Sequence, residues 1–167
     1  MTHTLSVLLE NKPGALARVS NMFARRGFNI ESLAVGPTER PDVSRITLRV
    51  ECDQHSLEQI EKQMHKLVNV LRDTELRPEE AVERELALVT VASRPESRAD
   101  LLAAALAAGA TIADFGDDAI TFQIVGRPDD VDTFEQVVHP YGVRELARTG
   151  RIGLHRPHDN NGKDSNG

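Results

Sequence analysis

Apolar residues in this chain recur at two spacings, every second residue and about every 3.6, and the two alternate in an order that runs through twice. Leu5, Val7 and Leu9 alternate as a half-buried strand does. Leu16, Val19, Met22 and Phe23 then form one stripe of a helix. That helix runs from about Ala15 to Gly27, a residue suited to the position just past a helix end, with Arg25 and Arg26 before it. A strand is expected over 28–35 and breaks at Gly36-Pro37 and Arg40-Pro41-Asp42. A further strand covers 43–52, with Ile46, Leu48, Val50 and Cys52 on one face and Arg45, Thr47, Arg49 and Glu51 on the other. Ser56 and Gln59 have capping-box spacing, so the next helix begins near Ser56 and buries Leu57, Ile60, Met64 and Leu67. A strand over 68–76 closes the first set.

This order is β-α-β-β-α-β. Residues 79–84 read as a short charged linker, and a weaker version of the same order follows. It consists of a strand over 86–92, an Ala-rich helix over 97–108 ended by Gly109, and strands over 111–115 and 119–125 around Gly116-Asp117-Asp118. A helix over 130–138, stopped by Pro140 and Gly142, and a strand over 143–154 complete it. The fold class is α+β, with two ferredoxin-like βαββαβ domains, residues 1–78 and a smaller C-terminal domain, residues 85–156. Residues 157–167, polar and rich in Asn and Gly, are expected to be disordered. Such a sheet carries both helices on one face. With one Tyr and five Phe in the whole chain, a domain as small as 1–78 buries a limited core, so a second copy is expected against it, sheet edge to sheet edge or through the helices.

Composition removes several classes of function. No apolar run approaches the roughly 20 residues that span a bilayer, and no export signal is expected where Met1-Thr2-His3-Thr4 leads into a strand. A single cysteine, Cys52, precludes an intrachain disulfide framework and fits a reducing, cytoplasmic setting. The net charge is −6, and residues 1–78 carry eleven Lys/Arg against ten Asp/Glu. No basic face is evident, and the third strand offers aliphatic and charged side chains where an RNA-binding sheet of this topology stacks bases on aromatics. Neither nucleic acid nor membrane is an expected partner.

The junction Leu9-Glu-Asn-Lys-Pro-Gly-Ala-Leu16 joins the first strand to the first helix. A helix start presents unpaired N–H groups and the positive end of a dipole, which suits a small carboxylate. Gly14 lets a ligand approach the backbone, and Asn11 has an amide able to accept from an ammonium and donate to a carboxylate. Together they could hold a free amino acid by its zwitterion. The plainer alternative is that Pro13 and Gly14 only punctuate a turn and Asn11 only caps it.

Leu5–Leu16 resembles the opening of an ACT domain, an amino-acid-sensing module of metabolic enzymes. Arg26-Gly-Phe-Asn-Ile-Glu-Ser-Leu-Ala-Val-Gly-Pro-Thr-Glu39, residues 58–71, Val82-Glu-Arg-Glu-Leu86 and Arg144–Ile152 resemble the small, regulatory subunits of acetolactate synthase, in that family's order and over roughly residues 1–156. The resemblance implies an N-terminal ACT domain that dimerises and binds effector, and a C-terminal α/β domain. It implies a large catalytic subunit as partner, which carries thiamine diphosphate, magnesium and FAD, while this chain carries no cofactor. The small subunit raises that enzyme's activity and confers feedback inhibition in branched-chain amino-acid synthesis, usually by valine, with leucine or isoleucine as other effectors. Carried onto this sequence, the effector site uses Asn11, Gly14, Ala15 and Leu16 of one chain and Asn29 and Ile30 of its partner. The alternative is a free-standing ACT sensor that controls another enzyme or transcription.

No catalytic or metal-binding residues are expected. The six histidines show no ligand spacing with Cys52 or one another, and His65 is expected to pair with Glu61 on a helix surface. Cys52 falls in phase with a buried strand face, as an inert thiol does. There is no nucleophile elbow and no phosphate-binding loop. The exposed stretch Pro37–Arg45 is either a plain hairpin connection or a contact for the catalytic subunit.

Overall fold

The structure, a computed structural model, describes residues 1–157. These divide into two compact units: residues 1–83 with those from 151 on, and residues 84–150. Of the tail expected to be disordered, residues 157–167, all but Pro157 lie outside the described residues, His158 among them.

The first unit runs β1 (Thr2–Glu10), α1 (Ala15–Arg25), β2 (Ile30–Pro37), β3 (Val43–Glu51), α2 (Gln54–Met64) and β4 (Val70–Glu75). Its antiparallel sheet has the order β2-β3-β1-β4, the ferredoxin-like arrangement. Leu5, Val7, Leu9, Ile46, Leu48 and Val50 point to the helix side, where they bury Val19 and Phe23 of α1 and Leu57, Ile60 and Met64 of α2. The opposite face is polar: the Arg45 guanidinium donates to the Ser6 hydroxyl at 2.6 Å, and Arg49 pairs with Glu31 at 2.9 Å. Gly27, at φ 72°, ends α1 as its position predicts, donating to the Ala24 carbonyl.

α2 starts two residues before Ser56. Its cap is Asp53, whose Oδ1 accepts from the Ser56 N–H at 2.7 Å, so the Ser56–Gln59 capping box is not formed. That hydrogen bond holds the Asp53 carboxyl below its ordinary range. Cys52 packs against the core, and burial followed by the Asp53 charge pushes its thiol up, as an unreactive thiol requires.

Between α2 and β4 sits an acidic cluster. His65 meets Asp73 at 2.7 Å, not Glu61, and His3 meets Glu75 at 2.6 Å. Burial pushes the Glu61 carboxyl up, and the Asp73 and Glu75 charges add to this while His65 opposes it. A carboxyl raised in the folded state favours the fold while protonated, and that advantage is lost as pH rises through the raised value. Glu61→Gln, which mimics the protonated form, is therefore expected to raise Tm at pH 7.5. In thermal melts at pH 4 the difference from the parent should close.

The second unit contains α3 (Arg98–Ala107), β6 (Thr111–Phe115), β7 (Ala119–Gly126), α4 (Pro128–Gly142) and β8 (Val143–Arg148), arranged around β5 (Ala81–Ala92) in the order β6-β7-β5-β8. Ala87, Val89, Val91, Leu101, Ile120, Phe122, Phe134 and Val138 form its core. Two boundaries differ from expectation. β5 begins at Ala81, so four of the six residues of the expected 79–84 linker are strand. The expected last strand is cut by Gly150, at φ 73°, into β8 and β9 (Ile152–His155). β9 pairs with β5 and is also held to residues of the first compact unit: the Arg156 N–H donates to the Glu80 carbonyl at 2.8 Å, and Arg151 pairs with Glu83 at 3.1 Å. α4 also passes through Pro140 and ends only at Gly142, φ 100°. A proline in the last turn removes one intrahelical donor without breaking the turns before it.

Candidate functional site

β1 delivers the chain to α1 at one end of the first sheet. Asn11 is exposed and doubly anchored to the β2–β3 turn: its N–H donates to the Asp42 carbonyl at 2.8 Å, and its Nδ2 donates to the Pro41 carbonyl at 3.1 Å. That fixes the amide's orientation and leaves Oδ1 to accept from a ligand ammonium. Gly14 is the N-cap of α1 at φ 82°, ψ −8°, a left-handed conformation that favours glycine. A Cβ built there meets nothing within 4 Å, so the space in front of the helix is open.

No side chain caps α1. Ala15 is buried, and its N–H closes the turn on the Lys12 carbonyl at 3.2 Å, so Ala15 shapes the site and offers no donor to a ligand. The first-turn N–H groups of Leu16 and Ala17 have no protein acceptor among the described residues. They point along the positive end of the α1 dipole and can take a carboxylate. Ala17 is the donor that the sequence reading did not include; it follows from counting the four orphan N–H groups of a helix whose cap has no side chain. Of the carboxylates at this loop, Glu10 is occupied by the Asn69 amide at 2.9 Å and by Lys12 at 3.3 Å, and Asp42 by Arg40 at 3.0 Å. Asn69 and Lys12 hold the Glu10 carboxyl below the usual range. Leu16, 36% exposed, is the apolar surface beside the donors.

Asn29 and Ile30 lie elsewhere in the same chain. Ile30 pairs with Val50 at the far end of β3, whereas Glu10, next to Asn11, pairs with Val43 at its near end. Seven residues of strand separate the two ends by about 23 Å. Within one chain the six expected residues therefore form two groups, Asn11–Leu16 and Asn29–Ile30. Asn29 is exposed, and Ile30 is half-buried against the core. Among the described residues no group of three or more His, Cys, Asp or Glu could hold a metal ion, and no helix is long and apolar enough to cross a membrane.

Residues 5–72 match the family model described as an AHAS small subunit-like ACT domain, and residues 84–157 match that of the small subunit of acetolactate synthase. The chain is 44% identical over 155 residues to the acetolactate synthase small subunit of Mycolicibacterium smegmatis, covering 93% of this chain and 91% of that one. It is 46% identical over 156 residues to a probable acetolactate synthase small subunit of Archaeoglobus fulgidus, covering 93% and 98%. The crystal structure of the small subunit from Thermotoga maritima superposes with a TM-score of 0.85 at 38% identity, over 93% of this chain and 98% of that one. Both halves of the chain and the fold itself agree, and the chain belongs to the acetolactate synthase small-subunit family.

Proposed function

We propose that this chain is the non-catalytic, cytoplasmic regulatory subunit of an acetolactate synthase, which binds valine between two copies of its first unit. The reading extends to activation and feedback inhibition of a larger catalytic subunit, where thiamine diphosphate, magnesium and FAD would reside. The observation that carries it is the separation of Asn11–Leu16 from Asn29–Ile30 at opposite ends of β3. β2 is the outer strand of its sheet, with an unpaired edge, and Val35 on that strand is 48% exposed. An apolar unpaired edge is a template for another strand. If two β2 strands pair antiparallel about a two-fold axis, the start of one lies beside the end of the other. Pro37 and Leu9 both align with Ser44, so the partner's Asn29 and Ile30 arrive at the end of the sheet that carries Asn11 and the start of α1.

The chemistry of that seam suits a small branched amino acid. Its carboxylate meets the N–H groups of Leu16 and Ala17, its ammonium meets Asn11 Oδ1 and the partner's Asn29, and its side chain packs on Leu16 and the partner's Ile30. Neutral dipoles bind both charges without placing a counter-charge in the protein. The two bonds from Asn11 to Pro41 and Asp42 join the site to the exposed β2–β3 turn, so a ligand that reorients Asn11 shifts a surface available to the catalytic subunit. A coupling of about 1–3 kcal/mol suffices for such control.

The test is the activity of the catalytic subunit with and without this chain across a valine titration. Activity should rise on adding the chain and fall as valine is added. Unchanged activity in both arms would contradict the proposal.

A further inference from the structure

α1 and α2 lie side by side over the first sheet, and the furrow between their outer faces is strongly cationic. Arg18 and Arg25 stand seven residues apart on one stripe of α1, with Met22 between them. Arg26 extends that row past the helix end, Lys66 faces it from just beyond α2, and Met22 and Leu67 supply an apolar floor. The furrow encloses about 550 Å³. Residues 11–30 contain four cations and no Asp or Glu.

Several cations elsewhere are paired with carboxylates, and others, such as Arg45 and Arg98, are held by hydroxyl or carbonyl oxygens. Arg40 pairs with Asp42, Arg49 with Glu31, Arg77 with Glu75 and Arg144 with Asp118. None of the four cations of the furrow has a carboxylate partner among the described residues. In a chain of net charge −6 this is a concentration of unneutralised positive charge in one place. Arg25 and Arg26 also complement the C-terminal end of the α1 dipole, but Arg18, in the first turn, sits against that dipole and gains nothing from it.

We propose that this furrow is the docking site for an acidic segment, with an apolar anchor, of the catalytic subunit. The inference rests on the regulatory-subunit reading above. Charge complementarity selects the occupant. Arg18 and Arg25 are about 10 Å apart along the helix, which one carboxylate does not span but two successive acidic turns, or a few extended residues, do. Met22 and Leu67 beneath the charges favour a protein segment with an apolar side chain over a bare polyanion. α2 packs towards β4, on the side of the sheet away from β2. The furrow therefore stays open when two copies pair through β2, and a dimer presents it twice.

The experiment measures affinity of the full-length chain for the catalytic subunit by biolayer interferometry at several salt concentrations. It compares the parent with R18Q/R25Q/K66Q and R18E/R25E/K66E. The parent is expected to bind more weakly as salt rises. The glutamine variant should lose about tenfold or more at low salt and show a flatter salt dependence, and the glutamate variant should lose more. Valine calorimetry and thermal melts on the same proteins should match the parent; if reversal impairs folding, the glutamine variant decides. Parental affinity and salt slope in the glutamine variant would overturn the docking site while leaving the regulatory reading intact. A parent that does not bind the catalytic subunit would overturn both. Micromolar binding of inorganic tripolyphosphate to the parent, lost in the glutamine variant, would reassign the furrow to a small polyanion and also overturn the proposal.

Discussion

Replacing Gly14 by aspartate is expected to abolish valine binding while leaving the dimer folded. Aspartate tolerates the left-handed backbone better than most residues and is among the best N-caps, and its Cβ enters open space. Its carboxylate would accept from the first-turn N–H groups of α1, which have no protein acceptor now. The side chain would thereby occupy the place proposed for the ligand's carboxylate and repel a second anion. Like-charge juxtaposition costs several kcal/mol, so affinity should fall by about a hundredfold or more. Calorimetry with valine reads the loss, and sedimentation and thermal melts read the intact dimer. Gly14→Asn caps the helix without the charge and should retain measurable binding. If the aspartate variant bound valine as the parent does, the ligand carboxylate would not sit at the start of α1.

The second large effect lies in the other unit and should leave the first untouched. Phe134 of α4 is fully buried and packs edge-to-face on Phe122 of β7, with ring centroids 6.1 Å apart and planes at 71°. Phe134→Ala removes that ring from a core that has few aromatics to spare, and a loss of about 3–5 kcal/mol is expected. Phe134→Leu should lose much less. Each unit has its own closed set of core residues. Urea denaturation of Phe134→Ala should therefore show an early transition for the second unit, while valine heat persists until the first unit melts. Loss of valine binding in step with the early transition would show instead that the two cores fold as one.

The parts of this fold written in local periodicity were legible. Val19, Met22 and Phe23 of the α1 stripe, its stop at Gly27 and the Ile46-Leu48-Val50 face of β3 all form as their spacing dictates, while Leu16 of the same stripe is exposed at the helix start and Ala15 is buried instead. Ends decided by competition between residues were not. Asp53 displaced Ser56 as the cap of α2 because its charged carboxylate accepts from the N–H of Ser56 itself, which puts Ser56 inside the first turn. Residues 81–84 of the charged stretch 79–84 joined a strand because Ala81 is buried, and because the returning chain answers its charges, Arg151 for Glu83. No periodicity announces a partner seventy residues away.

The site divides in the same way. Gly14 and Asn11 could be read from a strand running into Pro-Gly and an apolar stripe, because turn chemistry and helix dipoles are local. Asn29 and Ile30 carry no local mark and entered only through family resemblance. In the proposed site their place depends on a second chain and on the register of β2 against β3. The cationic row of Arg18 and Arg25 has no local mark either, since nothing in one helix shows that α2 places Lys66 across from it.

The most direct measurement uses two variants together. Gly14→Asp and Asn29→Ala chains, carrying different tags, are each made as homodimers and then refolded as a mixture, and the doubly tagged heterodimer is purified. If the site is shared between chains, neither homodimer binds valine well. The heterodimer, which brings an intact Gly14 from one chain to an intact Asn29 of the other, binds one valine per dimer with near-parental affinity. A heterodimer as inert as the homodimers would place both groups in the same chain's site and contradict the shared seam.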